Sequence, residues 1–156
     1  MADTASKDAI ALLKQDHRTV EDLFAQFEKA SGDGRKEKLA KQICLELTVH
    51  AQIEEEIFYP ALREAIKETD LLDEAEVEHG TAKDLIAQLE DSADADEMFD
   101  AKVKVLGEYI DHHVKEERNE MFVKARAAKG LDLVGMREQL AARKEELMEE
   151  LMGATA

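Results

Sequence analysis

The sequence predicts an all-α fold: an antiparallel, up-down four-helix bundle with an additional C-terminal helix. Three observations predict it. Apolar residues recur at i, i+3, i+4 and i+7 along most of the chain. No stretch alternates apolar and polar residues as a half-buried strand would. One Pro and seven Gly leave few breaks in 156 residues. The first helix is expected over about residues 6–30, with Ile10, Leu13, Val20, Phe24 and Phe27 on its stripe and Ser31-Gly32-Asp33-Gly34 as the turn that stops it. The second spans about residues 35–66, with Leu39, Ile43, Leu47 and Ile57 inward. Pro60 should kink or break it, since Pro lacks a donor N–H and clashes with the preceding turn. The third covers about residues 70–89, with Leu72, Ile86 and Leu89 inward, and Ser92-Ala93-Asp94-Ala95-Asp96 is the next loop, rich in capping residues. The fourth covers about residues 97–129, with Val103, Leu106, Ile110 and Met121 inward and Gly130 as its C-cap. The fifth, about residues 131–152, carries Leu133, Met136, Leu140, Leu147 and Leu151 among many charges. Short loops make the four long helices antiparallel neighbours. Residues 1–156 therefore read as one domain, a core bundle of about 6–129 with a further helix that packs outside it or contacts another chain, a route to an oligomer.

Composition bounds the function. Lys and Arg number 21 against 37 Asp and Glu, a formal net charge of −16. Phosphate contacts need clustered Lys and Arg, so this balance argues against nucleic acid and anionic membranes as partners. Hydrophobic residues at 44% suffice for a core despite the charge. No run approaches the roughly 20 apolar residues that span a bilayer, and the polar first seven residues do not form a signal core. A single Cys44 excludes an internal disulfide framework and suits a reducing compartment. The expectation is a cytoplasmic protein.

Helical phase singles out the histidines. At about 100° per residue, His17 lies seven residues from both Ile10 and Phe24, in the middle of the first apolar stripe. His50 follows Leu47 by three, and Glu54 follows His50 by four. His79 is seven from both Leu72 and Ile86. His113 follows Ile110 by three, and Glu117 follows Ile110 by seven. His112 lies about 160° from Ile110 and faces out. Each of the four long helices thus turns one His inward, and two add a Glu one turn later. A buried carboxylate without a partner costs several kcal/mol. With no inward Lys or Arg nearby, a bound cation is the natural counter-charge, and neutral imidazole is a good ligand for iron, zinc or copper. A single inward His is more often a hydrogen-bonded core residue; four at one level with two inward Glu are hard to explain so. The pattern also repeats: His50-Ala51-Gln52-Ile53-Glu54 recurs 63 residues later as His113-Val114-Lys115-Glu116-Glu117, with Glu56-Ile57-Phe58 echoed by Glu120-Met121-Phe122. Two helical hairpins about a pseudo-twofold axis would place six ligands around one centre.

The segments Leu13-Lys14-Gln15-Asp16-His17-Arg18, His50 to Pro60, Glu78-His79 and His112 to Glu117 together resemble the hemerythrin-like HHE cation-binding family, over roughly residues 8–125. The resemblance implies a four-helix bundle holding a non-haem di-iron centre, two iron ions joined by an oxo or hydroxo bridge. It implies Glu54 and Glu117 as bridging ligands and His17, His50, His79 and His113 as terminal ones. Oxygen-carrying members have a fifth His one turn from the third-helix His. Here Ala75 and Lys83 flank His79 at that spacing. Glu76, three residues before His79, is close enough in phase to act as an additional ligand; otherwise a water or an open position remains. The departure leans away from simple oxygen carriage toward peroxide, nitric oxide or redox chemistry.

Other residues have plainer readings. Glu55, Glu56, Glu116 and Glu120 form a solvated acidic face, as does the stretch 145–150. Tyr59 and Tyr109 read as packing residues near the ends of the site, with a hydrogen-bonding role open to them, and Cys44 as a small core residue. The ferritin-like alternative needs Glu-x-x-His on two helices. It occurs once, at Glu76-Val77-Glu78-His79, and not before His50 or His113. Three functions follow. The first is a di-iron protein binding dioxygen, nitric oxide or peroxide in sensing, storage or protection. The second is a catalase-like or peroxide- or NO-reducing enzyme. The third is a structural site for zinc or another divalent metal, or an interaction module.

Overall fold

The computed structural model describes residues 8–91 and 98–155. The expected start at residue 6 and the loop over residues 92–96 lie outside the described residues. Helix α1 is Ala9–Lys29. Asp8 caps it by accepting the Ala11 N–H at 3.0 Å. Gly32, with φ of 93°, makes the turn into the next helix in a conformation that favours glycine. Helix α2 is one continuous column over residues 33–65, in three parts: Asp33–Ile53, a π-helical turn Glu54–Phe58, and Tyr59–Ala65. Helix α3 is Asp70–Asp91. Helix α4 repeats the plan of α2 over residues 99–127, as Phe99–Glu116, a π-helical turn Glu117–Met121, and Phe122–Ala127. Helix α5 is Leu133–Thr155. Gly130, with φ of 83°, shapes the turn before α5, whereas α4 itself ends on Ala128. There is no strand among the described residues, and no described helix is long and apolar enough to cross a membrane.

Pro60 does not break α2. It enters just after the π turn, within the first two positions of Tyr59–Ala65. There the Tyr59 N–H bonds the Glu54 carbonyl five residues back. The extra residue in that turn re-aims the carbonyls that the proline ring would otherwise meet. Helix α4 makes the same turn without a proline, the Phe122 N–H bonding the Glu117 carbonyl. Proline therefore exploits the π turn and does not cause it. Both π turns begin at an inward Glu. They also correct the register of the repeat. The residue after each turn is Tyr59 or Phe122, and 122 − 59 = 63, so Tyr59 and not Phe58 is the counterpart of Phe122.

The four long helices close a ring: α1 packs on α2, α2 on α3, α3 on α4 and α4 on α1. The core falls into two apolar clusters. One holds Ile10, Leu13, Phe58, Leu62, Leu72 and Phe122. The other holds Val20, Phe27, Ile43, Leu47, Ile86 and Leu106. Each fully buried Leu, Ile or Phe contributes about 1.5–3 kcal/mol through area removed from water. Between the clusters lies a layer of buried polar side chains. Helix α5 lies across α1 and α2 and adds Met136, Leu140 and Leu147 to the first cluster. Val134 and Met152 of the same helix stay exposed.

Candidate metal centre

The six inward residues of the sequence converge in that layer. Glu54 and Glu117 are 0% and 1% exposed, and His17, His50, His79 and His113 are all buried. Glu54 Oε1 lies 3.3 Å from both His50 Nε2 and His79 Nε2. Glu117 Oε1 lies 3.2 Å from His17 Nε2, and its Oε2 lies 3.3 Å from His113 Nε2. Each carboxylate thus meets one His from each hairpin. These approaches are close but misaligned for hydrogen bonding. His17 Nε2, His50 Nε2, His113 Nε2, Glu54 Oε2 and Glu117 Oε1 are all buried without a hydrogen-bond partner. Leaving such a group unpaired costs about 1–3 kcal/mol each. Their ligand atoms fall into two overlapping groups, His17-His50-Glu54-Glu117 and Glu54-His79-His113, each within 4.8 Å. A donor set of imidazole nitrogens and carboxylate oxygens, orphaned and facing one another, fits divalent or trivalent first-row cations. A metal would satisfy every one of these atoms.

The outer ring nitrogens are held by carboxylates that the sequence reading did not assign. His50 Nδ1 donates to Asp16 at 2.8 Å, His79 Nδ1 to Glu55 at 2.8 Å and His113 Nδ1 to Glu78 at 2.7 Å. Each bond fixes the tautomer that presents Nε2 to the centre and raises its basicity as a ligand. Glu55 is therefore not part of a purely solvated face; it also takes Lys83 Nζ at 2.7 Å. The signal was adjacency. Asp16, Glu55 and Glu78 each neighbour a ligand in sequence, about 100° round the helix, and so reach the His of the adjoining helix. Asp16 further accepts from Lys144 of α5, which ties the fifth helix to His50. Burial would push the Asp16 carboxyl up, but His50 and Lys144 outweigh it and hold it below the usual range. Burial acts likewise on Glu117, where His113 and His17 hold the carboxyl well below it.

His17 departs from this scheme. Both of its ring nitrogens are without a partner. The pseudo-twofold accounts for this. The counterpart of Glu55, 63 residues on, is Arg118, which cannot accept a proton and pairs with Glu21 at 3.2 Å instead. His17 stacks on Phe122, centroids 5.9 Å apart, as His79 lies against Tyr59 at 5.4 Å.

Tyr59 is the second break in the symmetry. Its O–H donates to Glu117 Oε2 at 2.7 Å, and the oxygen lies 3.3 Å from Glu54 Oε1 and 3.2 Å from His79 Nε2. It sits at the centre of the layer and is more than a packing residue at its end. Burial, together with the Glu117 and Glu54 carboxylates, pushes the phenol well above its usual value, so it remains a donor. Glu76 stands elsewhere. It is exposed and faces Arg63 at 3.4 Å, three residues from His79 but turned out of the bundle. His112 is exposed and pairs with Glu116 at 3.2 Å. Cys44 is buried and free, its thiol pushed up to about 12 by burial and by Glu90.

On the side of the layer away from Tyr59 lies a cavity of about 40 Å³, walled by the four histidines together with Val20, Leu47, Ile86 and Ile110. About 10–15 Å³ of such volume holds one water. The space therefore suits a molecule of two or three heavy atoms.

Residues 8–125 match the family described as hemerythrin HHE cation binding domain. A curated relative, named as a DNA nickase of Nostoc sp., is 28% identical over 115 residues, 74% of this chain; the match spans 32% of that protein, about a third of its length. A crystal structure of a hemerythrin HHE cation-binding domain-containing protein from Mycobacterium kansasii, an Rv2633c homolog, superposes with a TM-score of 0.78 at 23% identity, covering 93% of this chain and 90% of that one. At that identity the likeness is one of fold.

Proposed function

The chain belongs to the hemerythrin HHE cation-binding family, and we propose that it holds two iron ions between Glu54 and Glu117 and binds or reacts with dioxygen, nitric oxide or peroxide, in sensing, storage or stress protection. One observation carries this reading: two groups of buried ligand atoms that share Glu54, with atoms of His17, His50, His113, Glu54 and Glu117 left without a hydrogen-bond partner. A shared carboxylate is what two adjacent cations need. An iron pair at such a site supplies one-electron exchange and open coordination to a small ligand. The chain supplies the rest. Glu54 and Glu117 provide the counter-charge, the Asp16, Glu55 and Glu78 carboxylates orient three of the imidazoles, and the two apolar clusters keep bulk water out. Zinc or another divalent metal would satisfy the same donors, so the test must identify the metal. A reduced compartment, the cytoplasm, is supported by the free Cys44. The nicking activity named for the Nostoc protein is not carried over, because most of that protein lies outside the match and this chain carries a charge of −16.

The experiment is anaerobic iron loading followed by oxygen. Two irons per chain and a near-ultraviolet charge-transfer band of a bridged ferric pair are expected, both lost in the Glu54→Ala, Glu117→Ala double variant. A stoichiometry far from two, or full metal content in the double variant, would refute the reading. A second reading, an enzyme that turns over peroxide or nitric oxide, is favoured by Tyr59, whose O–H holds a transferable proton beside Glu117. Many equivalents consumed per iron pair would support turnover; one equivalent bound reversibly would support binding.

A further inference from the structure

The cavity beside the histidines lies mostly within the bundle, so a ligand reaches it across one of its edges. A groove of about 660 Å³ runs between α1 and α4 on the molecular surface. It and the cavity share four wall residues: His17, Val20, Ile110 and Val114. The groove therefore ends on a side chain of the metal centre itself, and on the histidine whose Nδ1 is without a carboxylate. A depression between α2 and α3 also borders the cavity, through Thr48, Lys83 and Ile86. That edge reaches no site histidine, and the Lys83–Glu55 ion pair at 2.7 Å spans it.

We propose that the groove between α1 and α4 is the path by which small uncharged molecules reach the centre, with Ile110 at its throat and Phe24, seated against Gly107, setting its width. This rests on the reading above that the centre meets a small ligand. Val20 and Val114 make the inner wall apolar, and Ile110 is half-buried at the boundary of the two spaces. Phe24 is also half-buried, and a Cβ at position 107 would lie 3.1 Å from its ring, so any larger residue there would push the ring by a few tenths of an ångström. The charges at the groove select further. Glu21, Glu28, Asp100, Glu108 and Asp111 outnumber Lys36 and Lys104 on its walls, and with Arg118 and Lys115 paired to Glu21 and Asp111 a small negative excess remains, which disfavours anions and leaves neutral molecules unopposed. The class admitted is dioxygen, nitric oxide or hydrogen peroxide, rather than superoxide or nitrite.

Two readouts test this, one of them independent of metal. Crystals of the purified protein under xenon pressure should show xenon in the cavity and at the throat. Ile110→Trp should abolish the throat site, and Phe24→Ala should keep it. In the iron-loaded protein, stopped-flow association of nitric oxide should slow at least tenfold in Ile110→Trp and quicken severalfold in Phe24→Ala, with iron content unchanged. Azide should associate more slowly than nitric oxide, with a gain at high salt. Both positions are half-buried, and circular dichroism checks that the fold is kept. Nitric oxide association within twofold of wild type in Ile110→Trp overturns the proposal. So does acceleration by Lys83→Ala in place of Phe24→Ala, which would assign entry to the α2–α3 side. If the loaded wild type takes up no nitric oxide at all, the functional reading fails, and the xenon positions alone decide the route.

Discussion

Asp16→Asn removes one charge from a residue that is 3% exposed and keeps its shape. Asp16 sits between two donors, His50 Nδ1 at 2.8 Å and Lys144 Nζ. A carboxylate satisfies both. An amide satisfies one with its oxygen and turns its NH2 toward the other, donor against donor. The bond to His50 is charge-assisted, worth about 1.5–3 kcal/mol. Part of that loss falls on the ligand itself, because His50 Nε2 becomes less basic and less well held. Replacing a carboxylate behind a metal-bound His costs about 10–100-fold in metal affinity, or roughly 1.4–2.8 kcal/mol. The assay is competition for iron or zinc against a chelator of known affinity at fixed pH, on wild type, Asp16→Asn and Lys144→Met. Asp16→Asn should weaken binding by about 10–100-fold. Lys144→Met should weaken it by less than about threefold, because that side chain is about a third exposed and water can replace it. If Asp16→Asn binds metal within twofold of wild type, Asp16 does not act through His50 and the argument for the outer carboxylates fails with it.

Three further outcomes follow from the same geometry. Chelation should lower the melting temperature by about 5–10 °C, since a ligand at 100 times its Kd stabilises by about 2.7 kcal/mol and a chain of this size gains about 2–4 °C per kcal/mol; an unchanged melting curve would contradict a built metal site. In the metal-free chain, burial would lower the His113 pKa, but Glu117, Glu54 and Glu78 raise it to about 9. A raised folded pKa means stability fully present below about pH 6.5 and lost as pH rises through 9, so urea titrations of the metal-free protein should show a loss of about 3 kcal/mol across that window, absent when metal occupies Nε2. Tyr59→Phe restores the pseudo-twofold with Phe122 and removes the O–H at Glu117; peroxide turnover should fall at least tenfold with iron content retained, and unchanged turnover would exclude the phenol as proton source.

Much of the bundle was legible because burial writes a period of 3.6 into a helix. The same count placed His17, His50, His79 and His113 inward and His112 outward, and the structure places them so. The count fails where the helix is not α. Five residues of α-helix turn about 500°, which sets Tyr59 some 140° from Glu54 and reads as packing; the π turn brings it back to within 3.3 Å. No local pattern announces that turn. Glu76 shows the opposite error. Its spacing from His79 was close enough to look inward, but the stripe of α3 is narrow there, and Arg63 draws the carboxylate to the surface. Asp16, Glu55 and Glu78 carried only their adjacency to a ligand to set them apart from the many surface carboxylates, because their partners come from other helices. Lys144 was invisible for the same reason.

The crossing of α5 over α1 and α2 joins two equilibria. Through Lys144 and Asp16, the seating of the fifth helix is linked to the geometry of His50, by the small factor that Lys144→Met would read. Coupling between two such events is reciprocal by thermodynamic necessity. Whatever factor metal adds to the docking of α5, the docking of α5 returns to the metal. A modification or partner that lifts this helix would therefore lower metal affinity without touching a ligand, and emptying the centre would loosen the C-terminal helix by the same amount.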